Sequence, residues 1–134
     1  VTTVIPEKLL RSSRPGYGDG RRDSVRHETV QRWIDQVRAA GVASVICLLS
    51  EEHLCLYPDG ALLRFYEMAG FKVCHIPTVD HSLPPLSQSQ LNKILAAYRA
   101  LPKPVLIHCS AGLGRTGVAV EFIREQEALQ KLET

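Results

Sequence analysis

The chain has 134 residues and a mass of 14.9 kDa, the size of one ordinary domain, so a single unit spanning residues 1–134 is expected rather than a two-domain enzyme. Hydrophobic residues at 45% and charged residues at 22% lie near globular averages, which argues against disorder, a collagen-like repeat or a fibrous design. A net charge of +2 and a pI near 8.4 make no case for a nucleic-acid or membrane partner. The most apolar run, Val42 to Leu49, is eight residues long against the roughly 20 of a membrane span, so a soluble protein is expected.

Arg11 to Arg38 holds seven arginines against four acidic residues and reads as a solvated face. The four cysteines, Cys47, Cys55, Cys74 and Cys109, form no CxxC pair and suit no small secreted disulfide framework; a reducing compartment, and hence a cytoplasmic location, is expected. No signal peptide is visible, and a first residue of Val rather than Met suggests that the native start lies elsewhere.

In chain order, the glycines of GYGDG (residues 16–20) lack the strand-turn-helix setting of a dinucleotide site and read as a flexible loop. Val30, Trp33, Ile34 and Val37 recur at helical spacing and Gly41 follows, which predicts a helix over about His27 to Ala40. VASVICLL, residues 42–49, is continuously apolar, as a strand covered on both faces should be. Asp59 is a capping type and predicts a helix from Gly60 to Ala69, closed by Gly70; FKVCHI then reads as a strand ending at Pro77. Three prolines make Pro77 to Leu86 a shaped loop.

Ser87 and Gln90 form a capping box ahead of Leu91, Ile94, Leu95 and Tyr98, and Pro102 and Pro104 end that helix. Residues 105–107 are a short buried strand, followed by a glycine-rich turn and a helix expected to bury Val118, Phe122 and Ile123 on one side. Alternating strands and helices predict an α/β domain with a mainly parallel central sheet flanked by helices. Ligands bind at the carboxyl ends of such strands, where the turn after Ile107, the proline loop and residues 50–58 should meet.

The turn, HCSAGLGRTG over residues 108–117, carries the chemistry. If Ser110, Ala111, Gly112, Leu113, Gly114 and Arg115 curl around one point, their backbone N–H groups form an anion nest at a helix N-terminus. The Arg115 guanidinium fork matches two phosphoryl oxygens. Cys109 lies in the same positive field, which favours its thiolate, and the Thr116 hydroxyl can donate to the sulfur. His108 is read as orienting the turn by hydrogen bonding rather than as an acid or base. His, Cys, Arg and Thr in this arrangement arise by chance in about one chain of this length in several thousand, so an ordinary buried cysteine beside a surface arginine is set aside.

HCSAGLGRTG resembles the HCxxxxxR[ST] signature of the cysteine-based protein tyrosine phosphatase superfamily, with every fixed position present. The small size is similar to the dual-specificity branch, with its strand–P-loop–helix active site, and the likeness runs from about Leu9 to Phe122. Such chemistry needs an acid on the side of phosphorus opposite the sulfur. Asp80, in IPTVDHSLPP and 29 residues before Cys109, resembles the family's acid-loop aspartate in placement; Glu67, Asp59 and Asp35 fall on predicted helices or their starts and are weaker candidates. His81 either positions that carboxylate or is simply solvated. Arg14, in LLRSSRP, occupies a region where relatives carry a structural arginine that braces the acid loop or binds substrate. In some relatives a cysteine near Cys47 forms a reversible disulfide with the nucleophile, although a small core residue is the favoured reading of Cys47.

The resemblance implies a phosphatase that needs no metal or cofactor: Cys109 attacks phosphorus, Asp80 protonates the leaving oxygen, and water hydrolyses a phosphocysteine. Neutral Ser110 and Leu113 lower the case for phosphoinositides, so a phosphorylated protein or peptide, at tyrosine and also at serine or threonine, is the expected substrate. A phosphoinositide- or RNA 5′-phosphate-directed phosphatase of the same superfamily and a catalytically dormant phosphate-binding module are the alternatives. Only 17 residues follow Gly117, fewer than related domains carry there, so either C-terminal helices are missing or the fold closes differently; if helices that cover the sheet are missing, lower stability or dimerisation through exposed apolar surface is expected, and the oligomeric state itself is left open.

Overall fold

A computed structural model describes residues 1–19, 24–79 and 82–133. Five strands form one sheet in the order β1-β2-β5-β3-β4: β1 (Thr2–Ile5), β2 (Leu9–Ser12), β3 (Ser44–Cys47), β4 (Lys72–His75) and β5 (Val105–His108). Among the described residues only the β1–β2 hairpin is antiparallel, so the expected α/β architecture with a mainly parallel sheet is present. The hairpin itself was not anticipated. Its strands are four residues long and its turn holds Glu7 at φ 64, a conformation that no glycine announces.

The flanking helices are α1 (His27–Ala39), α2 (Glu51–Leu54), α3 (Leu62–Met68), α4 (Gln88–Ala100) and α5 (Gly114–Glu133). Side-chain alternation along the strands splits the core. Val45, Cys47, Leu49 and Leu106 pack with Trp33, Val37 and Tyr66 on the α1/α3 side, whereas Ile46, Leu48, Val105 and Ile107 pack with Ile94, Tyr98 and Ile123 on the α4/α5 side.

Gly41 closes α1 as expected. At φ 83 it donates to Arg38 O while Val42 donates to Val37 O, a full Schellman motif with Val37 and Val42 both buried. Gly70 closes α3 in the same way, through bonds to Glu67 and from Phe71 to Tyr66. The Ser87–Gln90 capping box is formed in both directions.

Several expectations need correction. The strand expected over residues 42–49 is confined to Ser44–Cys47, because Val42 belongs to the helix-end motif and Ser50 caps α2, accepting from the His53 N–H. Asp59 caps nothing: it sits at φ 55 in a turn over Pro58–Gly60, and Ala61 precedes α3. Tyr17–Asp19 form a short 3-10 turn within the segment read as a flexible loop. In α5 the buried residues are Arg115, Thr116, Ala119, Val120 and Ile123; Val118 is exposed and Phe122 half-buried. The rotation of α5 is set by Arg115 and Thr116, which must face the turn, so the residues one and two helical turns further on face inward with them.

Candidate active site

The turn after β5, the proline-rich loop after β4 and residues 50–58 after β3 are tied together beyond the carboxyl ends of the parallel strands, with the exit of β2 alongside. Register places Ser12 and Cys47 beside His108, on either side of the strand that delivers Cys109. The buried Arg115 donates from Nη1 to Thr78 Oγ1 at 2.9 Å and to Thr78 O at 3.3 Å, so the proline-rich loop is tied to the turn. Thr78 Oγ1 in turn donates to Leu48 O at 2.6 Å. From the other side, Arg14 Nε donates to Ser110 Oγ at 3.2 Å and Arg14 Nη1 to Tyr57 OH at 3.2 Å, which joins residues 50–58 to the site. Tyr57 OH donates to Pro15 O at 2.7 Å.

Cys109 is buried, and burial by itself pushes its thiol up. The Thr116 hydroxyl, the backbone N–H groups of Thr116 and Gly112 and the Arg115 charge outweigh that penalty, and the thiol falls below its ordinary value. Backbone N–H groups, a hydroxyl and a guanidinium gathered around one sulfur are the surroundings that favour its thiolate form. Gly112 is indispensable to the curl: φ is 78°, and a Cβ there would lie 2.5 Å from Ser12 O. Of the nest residues Ser110 and Ala111 are half-buried, Gly112 is buried, and Leu113 and Gly114 are exposed.

His108 sits wholly buried beneath the turn. Its Nδ1 lies 3.1 Å from Cys109 O, which can only accept, so Nδ1 carries the proton and Nε2 accepts from Tyr66 OH at 3.0 Å. Burial, opposed in part by that carbonyl and reinforced by Arg14, His75 and Arg115, lowers its pKa to about 4. The neutral ring therefore orients the turn. Because the folded value lies below the ordinary 6.5, stability is intact above pH 6.5 and is lost as the pH falls towards about 4. The loss amounts to about 3 kcal/mol across that window. Denaturant unfolding of wild type and His108→Gln at pH 7 and pH 4.5 checks this: the variant should lose distinctly less on acidification, and parallel losses would disprove it.

Arg14 braces the turn through Ser110 and stacks over the Tyr17 ring at 5.9 Å. Cys47 has a free, fully buried thiol on the α1/α3 side, whereas Cys109 packs on the α4/α5 side; burial, offset only in part by the Leu49 backbone and Arg115, pushes the Cys47 thiol up to about 12. That placement favours the core role. Asp80 and His81 lie outside the described residues. No local pattern marks Arg11, Tyr57, Tyr66 and Thr78, which reach the site from distant segments of the chain. Among the described residues no group of three or more His, Cys, Asp or Glu could hold a metal ion, and no helix is long and apolar enough to cross a membrane.

Comparison with solved structures finds the core catalytic domain of the PP-IP phosphatase SIW14 from S. cerevisiae, crystallised with citrate. Its TM-score is 0.57 at 25% identity over 92% of this chain and 68% of that one. The kinase-associated phosphatase KAP, with its catalytic cysteine replaced by serine, matches at a TM-score of 0.63 and 20% identity over 86% of this chain. This chain spans 64% of the KAP chain, a likeness of fold alone. A search of curated protein sequences finds no significant relative. Residues 20–125 match the family model described as "Polymorphic toxin system, DSP-PTPase phosphatase". With most of the chain under that model, the protein belongs to the DSP-PTPase phosphatase family so described.

Proposed function

We propose that this phosphatase hydrolyses phosphomonoesters on protein, at tyrosine or with dual specificity, through a phosphocysteine. The observation that carries the reading is the Cys109 thiol held below its ordinary value beside the buried Arg115. The thiolate attacks phosphorus in line, and the bond to the leaving oxygen breaks as Asp80 delivers a proton to it. Water then attacks phosphorus, Asp80 takes its proton, and the S–P bond breaks to return thiolate and inorganic phosphate. Arg115 and the turn amides hold the equatorial oxygens in both steps.

Exposed apolar side chains on the turn and on the proline-rich loop support a protein substrate. Leu113, on the turn, is 72% exposed, and Val79 and Leu83, on the proline-rich loop that Thr78 ties to Arg115, are 69% and 94% exposed. Apolar side chains beside a neutral turn suit a phosphorylated aromatic ring and its flanking peptide better than a densely anionic ligand. SIW14 is named for inositol pyrophosphate hydrolysis, which makes that ligand class the second reading. A reducing cytoplasm is the setting that keeps Cys109 a free thiol; for a toxin-system domain, it would be that of the recipient cell.

The test is steady-state hydrolysis of phosphotyrosyl and phosphoseryl peptides, an inositol pyrophosphate, a phosphoinositide and 5′-triphosphorylated RNA by wild type and Asp80→Asn. Phosphopeptide should give the highest kcat/KM. Asp80→Asn should lower kcat about 10²-fold or more on alkyl esters and far less on aryl esters with good leaving groups. Preference for inositol pyrophosphate, or phosphopeptide binding without turnover of any aryl phosphate, would overturn the reading.

A further inference from the structure

The segment Arg11–Arg14 does more than lead the chain out of β2. Arg11 Nη2 donates to Gly112 O at 2.6 Å and to Leu113 O at 3.4 Å, and Arg11 Nε donates to Gly112 O at 3.2 Å. Arg14 N–H donates to Ser110 O at 2.9 Å. Carbonyls along the turn are thus held from outside by one short stretch of β2 and its exit. Room is left for the guanidinium at the start of α5, where a Cβ on Gly117 would come within 3.3 Å of Arg11 Nη2.

Peptide planarity gives these bonds a consequence on the opposite side. In a trans peptide the N–H of residue i+1 points away from the C=O of residue i. The Gly112 carbonyl is turned outward to a cation, so the Leu113 N–H points the other way; holding Ser110 O does the same for the Ala111 N–H. We infer that Arg11 is a positioning residue of the anion cradle: its fork fixes the Gly112–Leu113 peptide so that the Leu113 amide faces the bound phosphoryl group. This rests on the turn being the phosphate site proposed above. Without Arg11 the peptide is free to rotate, and one inward donor is lost from the ground state and the transition state alike.

The experiment compares wild type, Arg11→Met and Arg11→Gln, with p-nitrophenyl phosphate as substrate and vanadate as the anion probe. Gln keeps a donor for the Gly112 carbonyl and removes the charge, whereas Met removes both. In Arg11→Met, KM and the vanadate inhibition constant should each rise about tenfold, the loss of one charge-assisted bond, with kcat changed less than about threefold. Arg11→Gln should recover most of that loss. Thermal melting of both variants, read alongside, identifies any that fails to fold; if Met fails, Arg11→Leu, which also lacks a donor, takes its place with the same expected loss of about tenfold in vanadate affinity.

Unchanged vanadate affinity in a folded Arg11→Met would overturn the inference. So would Arg11→Gln binding as weakly as Met, because the charge and not the carbonyl bond would then be responsible. A wild type that neither binds vanadate nor turns over substrate would instead overturn the reading of the turn itself.

Discussion

Cys109→Ser should abolish turnover while phosphate-analogue binding persists. A serine hydroxyl in the same nest is not ionised at neutral pH, so no S–P bond can form and the attacking group is lost; kcat should fall by at least roughly four orders of magnitude. On the proposed reading the donors that hold an anion are the turn amides and Arg115, none of which the substitution removes. Vanadate or tungstate should therefore bind the variant within about tenfold of its affinity for wild type, as calorimetry would read, since the lost sulfur contact is one among several. Residual turnover above one per cent of wild type would place the nucleophile elsewhere.

Arg115→Lys should be the next most damaging change, although it keeps the charge. The guanidinium is buried, and its Nη1 is committed to Thr78 Oγ1 at 2.9 Å and Thr78 O at 3.3 Å. Thr78 is itself fixed to Leu48 O at 2.6 Å, so the fork stands in one orientation before substrate arrives. A lysine ammonium is a single point donor. It cannot keep the tie to the proline-rich loop and also present two parallel N–H groups to the phosphoryl oxygens. The expected result is a fall in kcat/KM of about 10³-fold, falling mostly on kcat because the contact strengthens as charge spreads over the equatorial oxygens. The pH midpoint of Cys109 alkylation should rise less than in Arg115→Met, which loses the charge as well. A loss below about tenfold in kcat/KM would show that the fork contributes nothing beyond charge.

Sequence alone sufficed for whatever depends on neighbouring residues. The ends of α1 and α3 and the start of α4 rest on residues within one helical turn of each boundary: Gly41, Gly70, and the Ser87–Gln90 pair. The turn from His108 to Gly117 holds the proposed nucleophile, nest, guanidinium and hydroxyl in ten consecutive positions, so the proposed chemistry is local and legible. Asp59 misled because its residue type fits a cap, while its positive φ and the turn over Pro58–Gly60 keep it from the capping position.

Tertiary structure decided what reaches the turn from elsewhere. Arg11 and Gly112 are 101 residues apart, Arg14 and Ser110 are 96, Tyr66 and His108 are 42, and Thr78 and Arg115 are 37. No spacing rule connects such pairs; they meet because β2 and β3 lie in register on either side of β5. The rotation of α5 and the separation of Cys47 from Cys109 into different core layers follow from the same cause. A side chain's partner across a sheet is set by strand order and pleat, which arise only when the whole chain has packed.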